Sequence, residues 1–158
     1  MRIYLTQHGQ ALAAEIDPER PLSEQGHSDI QRLAALLGGA EIRVGRVLHS
    51  GKTRAEQTAA ILAEALLPGG QPQAQAGLAP KDPLEILSPQ IPFWSEDTLI
   101  VGHLPYLGRL ASLLLVSDPD RPVLAFRPGA MACIEQDAER RWVLAWMVGP
   151  ELLGPAPG

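Results

Sequence analysis

Residues 97–103 read Asp97-Thr98-Leu99-Ile100-Val101-Gly102-His103. A short β-branched apolar run, bounded by an acidic residue before it and Gly-His after it, predicts a strand buried on both faces. Such a strand belongs to a sheet with helices on each side, and His103 then stands where the strand ends. Two other stretches repeat the pattern. Arg2 to Thr6 is a short apolar strand, expected to be central, that runs into Gln7-His8-Gly9. Arg46-Val47-Leu48-His49 is a buried strand that runs into Ser50-Gly51-Lys52-Thr53-Arg54.

Helical patterns lie between these strands. Ser23 is a good N-cap and Leu22 before it a candidate hydrophobic staple. Ile30, Leu33, Ala34, Leu36 and Leu37 then recur at helical spacing until Gly38-Gly39. Thr53 to Leu67 is apolar at Ala55, Ala59, Leu62, Ala63 and Leu66, and Pro68-Gly69 stops it. The region from Gly69 to Pro92 is poorly patterned, with a short helix expected over Pro83 to Leu87. Tyr106 to Leu115 is the next helix, and Met131–Glu135 with Trp142–Met147 form a late hairpin around Asp137-Ala138-Glu139. This order predicts one α/β domain in three layers, a mostly parallel central sheet with helices on both faces. The hairpin adds antiparallel character at an edge. The domain is expected to span 1–150, and 151–158 to be a flexible C-terminal tail.

Composition narrows the classes. The chain has 158 residues, 46% hydrophobic and 20% charged, which is ordinary for a soluble globular domain. Its net charge of −5 argues against nucleic acid, and no basic stripe interleaved with aromatics offsets that. Any anionic ligand must therefore meet a local positive pocket. The single cysteine, Cys133, allows neither an intrachain disulfide nor a cysteine-rich zinc site. No signal segment precedes the first strand, and no apolar run approaches the ~20 residues of a membrane helix. A cytoplasmic, non-membrane protein is the expectation.

In open α/β sheets, ligands bind outside the carboxyl ends of the strands. His8, Arg54 and His103 each lie just past such an end and can converge on one pocket. A metal is the competing use of paired histidines, but no carboxylate or third histidine lies at ligand spacing beside either one. No Gly-x-Ser-x-Gly elbow supports a serine hydrolase, and no glycine-rich phosphate loop supports the common nucleotide-binding folds. His, Arg and His at strand ends suit phosphoryl transfer. A neutral imidazole is a competent nucleophile, and a guanidinium offers permanent planar donors to phosphate oxygens. Positioning and electrostatics would carry the reaction without cofactor or metal.

At this point the residues resemble a known family. Gln7-His8-Gly9 resembles the Arg-His-Gly signature of the histidine phosphatase superfamily, whose fold is phosphoglycerate mutase-like. "SGKTRAEQTA" (residues 50–59) is similar to its Ser-Pro-x-x-Arg-Ala-x-Gln-Thr-Ala segment, and "VGHLPYLGRLASLLL" to its late Val-Gly-His segment. The small size, "RPLSEQG", "GLAPKDP" and "AWMVGPELL" resemble the short SixA-type phosphohistidine phosphatase branch. The resemblance implies that His8 is the nucleophile, that Arg54 binds the phosphoryl group and that His103 hydrogen-bonds its oxygens. It adds Gln7, Gly9 and Arg20 to the phosphate pocket, with Ser50 near enough in the chain to reach it. The implied substrate is phosphohistidine on a protein; a small phosphorylated metabolite is the alternative. Ser23, Gln57 and Thr58 read as structural, and Asp82 as a turn residue before Pro83.

Two departures from the family pattern bear on activity. Gln7 stands where the family has arginine, so a charged donor to phosphate becomes a neutral one. Losing one preorganised donor costs about 10²–10³ in rate. A weakened enzyme or a silent phosphate-binding module are both compatible with that change. Gly51 replaces the proline of the second segment, and Lys52 follows it as a candidate substitute for the missing charge.

Overall fold

A computed structural model describes residues 1–155. Six strands form one sheet: β1 (Arg2–Gln7), β2 (Arg46–His49), β3 (Gln73–Ala74), β4 (Thr98–Gly102), β5 (Met131–Gln136) and β6 (Trp142–Val148). Their order across the sheet is β3-β2-β4-β1-β5-β6. The first four are parallel; β5 runs antiparallel to β1, and β6 antiparallel to β5. Among the described residues the three α-helices are α1 (Glu24–Gly39), α2 (Thr53–Leu66) and α3 (Tyr106–Val116).

The period-2 alternation of the strands sorts the core into two layers. Tyr4, Val47, Leu99, Val101, Met131 and Cys133 face α1 and α2, where Ile30, Leu33, Ala59 and Leu62 meet them. Ile3, Leu5, Leu48, Ile100, Ala132 and Ile134 face α3, against Tyr106, Leu107 and Leu110. Every residue of β4 is buried, as its apolar run and central place require. The predicted α/β sandwich with a mostly parallel sheet is therefore the observed fold. Ser23 caps α1, its Oγ accepting the N–H of Gly26 at 3.0 Å.

The poorly patterned region holds more structure than its sequence suggests. A 3-10 turn at Leu84–Ile86 replaces the expected helix over 83–87, and a second runs from Ser88 to Phe93. Pro89 and Pro92 lack the N–H groups that a continuous α-helix needs there. Leu84, Leu87 and Ile91 nonetheless seal the α3 layer. Strand β3 is also unanticipated: two exposed residues paired with β2 are too short to show a pattern. At the boundary between the expected domain and the expected tail, Pro150–Leu152 form a 3-10 turn. Arg32 donates to the carbonyls of Leu153 and Gly154 at 3.1 and 3.0 Å; residues 156–158 lie outside the described residues. Among the described residues no helix is long and apolar enough to cross a membrane.

Register aligns the strand ends that carry the polar residues. Gln7 pairs with Gly102, and His49 with Val101. With β4 between β1 and β2, the chain leaves the sheet at Ser50, His103 and His8 side by side.

Candidate active site

The backbone at His8 is held from both sides. Its N–H donates to the carbonyl of Gly102 at 3.0 Å, and the N–H of Gly129 donates to the carbonyls of Gln7 and His8, each at 3.1 Å. The ring is held as well, its Nδ1 lying 2.7 Å from the Gly9 carbonyl. A carbonyl can only accept, so Nδ1 carries the proton and Nε2 presents a lone pair. Arg54 Nε donates toward that nitrogen at 3.3 Å.

Gly9 is required here by space. A Cβ would stand 2.9 Å from Ile30 Cγ1 and 3.1 Å from the Gly26 carbonyl oxygen. Its N–H donates to Thr58 Oγ1 at 3.0 Å, and the Thr58 hydroxyl donates to the Arg54 carbonyl at 2.8 Å. Thr58, read as structural, thus ties the His8 loop to the first turn of α2. Gln57 does similar work, its Oε1 accepting the N–H of Leu22 at 2.8 Å.

His103 follows β4 and is buried. Ser50 Oγ lies 2.6 Å from its Nε2 and also accepts the N–H of Lys52 at 3.3 Å. His103 Nδ1 has no hydrogen-bond partner among the described residues. The two imidazoles are neighbours, 5.1 Å between centroids.

The electrostatics suit an anion. Burial first, then the Arg54 and Arg20 cations, push His8 down to about 4, against the pull of the Gly9 carbonyl. Burial first, then His8, Arg54, Lys52 and Arg20, push His103 down to about 3. Burial and Arg20 lower Arg54 as well. Both rings are therefore neutral at pH 7 and surrounded by positive charge. Among the described residues, none of Arg20, Lys52 or Arg54 is paired with a carboxylate. Arg20 adopts a left-handed backbone, φ 47°, and its Nε donates to the Leu12 carbonyl at 3.2 Å. Its terminal nitrogens have no protein partner among the described residues. Uncompensated guanidiniums, the N-terminus of α2 and a neutral imidazole pair are what a phosphate-sized anion requires. No group of three His, Cys, Asp or Glu among the described residues could share a metal ion, and these cations would repel one.

Other expected residues take varied places. Gln7 ends β1 with 8% of its surface exposed, and its Oε1 is buried without a partner. Asp82 closes a turn, its Oδ2 accepting the N–H of Ala79 at 2.9 Å. Gly129 escapes a reading of side-chain chemistry because it acts through its N–H; its one signal is the turn-like Pro128-Gly129 before β5. The ring of His49, which accepts the N–H of Gly51 at 3.0 Å, was also not anticipated.

A three-layer α/β fold with paired imidazoles and arginine at its strand ends defines a class, the histidine phosphatases. Residues 3–79 match the family model of the histidine phosphatase superfamily, branch 1. The chain belongs to that superfamily and is a phosphatase, a hydrolase of phosphate linkages. It is 26% identical over 155 residues to phosphohistidine phosphatase SixA of Escherichia coli K12, covering 95% of this chain and 94% of that protein. An uncharacterized protein of Picosynechococcus sp. PCC 7002 is 34% identical over 122 residues, 72% of this chain and 73% of the other. Among solved structures, that of protein histidine phosphatase SixA complexed with tungstate superposes with a TM-score of 0.80. It is 26% identical, over 95% of this chain and 97% of the other.

Proposed function

We propose that this phosphatase removes phosphate from phosphohistidine on a protein through a phospho-His8 intermediate, without a metal. The observation that carries the reading is the ring state of His8: Nδ1 donates to the Gly9 carbonyl, so the nucleophile is the Nε2 lone pair, which faces Arg54 Nε at 3.3 Å. Arg54, Arg20 and the N-terminus of α2 bind the phosphoryl oxygens, with Gly9 leaving the backbone close to them. His103, steadied by Ser50, donates to the same oxygens, and Gln7 adds a neutral amide donor. His8 Nε2 forms a bond to phosphorus as the bond to the leaving nitrogen breaks, and that nitrogen takes a proton from solvent. Water then attacks phospho-His8, releasing inorganic phosphate and restoring the neutral ring.

Among the described residues no carboxylate pairs with Arg20, Lys52 or Arg54, and this supports the substrate class. Asp82 is engaged in its own turn. Imidazole leaves more readily than an alkoxide and needs less protonation, so a phosphoramidate suits this site better than an alkyl phosphate. The SixA relatives support the same substrate. Gln7 favours a second reading, a slow enzyme that mainly retains the anion pocket, because its amide brings no charge to the phosphate.

The test is to mix the protein with a phosphohistidine-bearing protein and quench early. Base-stable, acid-labile phosphate is expected on the natural chain and none on His8→Ala. Equal turnover by His8→Ala would overturn the proposal.

A further inference from the structure

His49 lies outside the His8–His103 pocket, yet its ring touches the turn that builds one wall of it. The turn Ser50-Gly51-Lys52 leads from β2 into α2 and contributes both Ser50, against His103, and the start of the helix carrying Arg54. Little packing holds it. Gly51 has a left-handed φ of 89°, and a Cβ placed there would meet nothing within 4 Å. Glycine is the residue that loses most freedom when ordered, so such a turn needs a specific tether. That tether is the ring of His49, 5% exposed, whose Nδ1 accepts the Gly51 N–H at 3.0 Å. The proline usual at this place in the family has no N–H to hold; the glycine creates the donor and His49 supplies its acceptor.

We infer that His49 is a positioning residue for the phosphate site: its unprotonated Nδ1 fixes the Gly51 turn, which sets Ser50 against His103. The inference rests on reading His8, Arg54 and His103 as the phosphate site. Accepting at Nδ1 places the ring proton on Nε2. Burial keeps His49 below the usual histidine range, against the opposing charge of Glu56 on α2, so the acceptor state holds at neutral pH. The coupling runs through two short contacts, Gly51 N–H to His49 and Ser50 Oγ to His103, with the Lys52 N–H folding the turn around the same serine oxygen.

The experiment compares the natural chain with His49→Phe, His49→Asn and His49→Gln. Phenylalanine keeps a planar ring but has no acceptor. Asparagine places its amide oxygen near the Nδ1 position, whereas glutamine carries its oxygen beyond it. The readouts are inorganic phosphate affinity and the ¹⁵N signal of His103 Nε2, which reports the Ser50 contact. Neither needs turnover, so failure of the hydrolysis reading is separable from failure of this one. The Phe variant is expected to bind phosphate about tenfold more weakly or worse, with a displaced His103 signal, and Asn to retain both. Natural behaviour of the Phe variant, or equal loss in Phe and Asn, overturns the inference. If His49→Phe does not fold, Asn and Gln carry the comparison, and equal phosphate affinity in those two overturns it.

Discussion

The rings of His8 and His103 stand 5.1 Å apart between centroids and are tilted by 51°. That separation is close to the ~4.8 Å spacing of adjacent strands, because each ring directly follows one of two hydrogen-bonded parallel neighbours, β1 and β4. The sheet itself therefore sets the spacing of the pair. Both rings are neutral and partly stripped of water, with cations on several sides and no carboxylate among the described residues to balance them.

One consequence is a pH dependence of folding. Both histidines fall from an ordinary 6.5, to about 4 for His8 and about 3 for His103. Between 6.5 and these values the unfolded chain binds more protons, so stability rises with pH. Their contribution is complete above 6.5 and is lost as pH falls to about 4 for His8 and about 3 for His103. At roughly 1.4 kcal/mol per pKa unit, His8 accounts for at most about 3 kcal/mol. Denaturant unfolding from pH 7.5 to 4 should show a flatter acid limb for His8→Asn. Parallel curves would contradict it.

Gln7→Arg should raise hydrolysis by about 10²-fold, the worth of one preorganised charged donor. The same change places a guanidinium at a buried position of a site that already holds Arg20 and Arg54, so the variant should melt lower without phosphate and recover when phosphate is added. An unchanged kcat would show that position 7 does not contact the reacting group.

Thr58→Val removes the acceptor of the Gly9 N–H while keeping the side-chain shape. An unsatisfied buried N–H costs about 1–3 kcal/mol, and Gly9 carries the carbonyl that holds the His8 ring. Both the denaturant midpoint and the rate of His8 phosphorylation should fall, and Thr58→Ser should restore them. Loss of stability with full phosphorylation would separate Thr58 from the nucleophile.

Gly26→Ala should be among the most damaging small changes in α1. A Cβ there would lie 2.1 Å from the backbone oxygen of Gln10, and backbone cannot swing aside. The expected loss is about 3 kcal/mol or more, read from urea unfolding. Gly39→Ala, where a Cβ meets nothing within 4 Å, should instead stabilise by about 0.5–1 kcal/mol. Similar midpoints for the two variants would refute the contact.

Much of the scaffold was legible because its signals are local. The apolar runs of β1, β2 and β4, the Ser23 cap of α1 and the Pro68-Gly69 stop after α2 all lie within a few residues of what they control. Strand β3 was hidden because two exposed residues carry no periodicity. The 3-10 turn at 88–93 was hidden because its prolines resemble a loop. Gly129 and His49 were missed because each works by a contact to backbone, which leaves no mark of side-chain chemistry in the chain.

Sequence alone determined the alternation of strands and helices, the two-faced core and the location of His8, Arg54 and His103 just past strand ends. Tertiary structure decided that β4 lies between β1 and β2, which brings Ser50, His103 and His8 into adjacency. It also decided which nitrogen of His8 is free and which cations lower both rings. Periodicity and capping are properties of neighbouring residues, whereas the decisive contacts join residues 53 apart for Ser50–His103 and 46 apart for Arg54–His8. Their partners are chosen only when the strands pair. His8-Gly9 was recognisable as the end of a strand; the ring's proton on Nδ1 and the Nε2 lone pair turned to Arg54 belong to the fold.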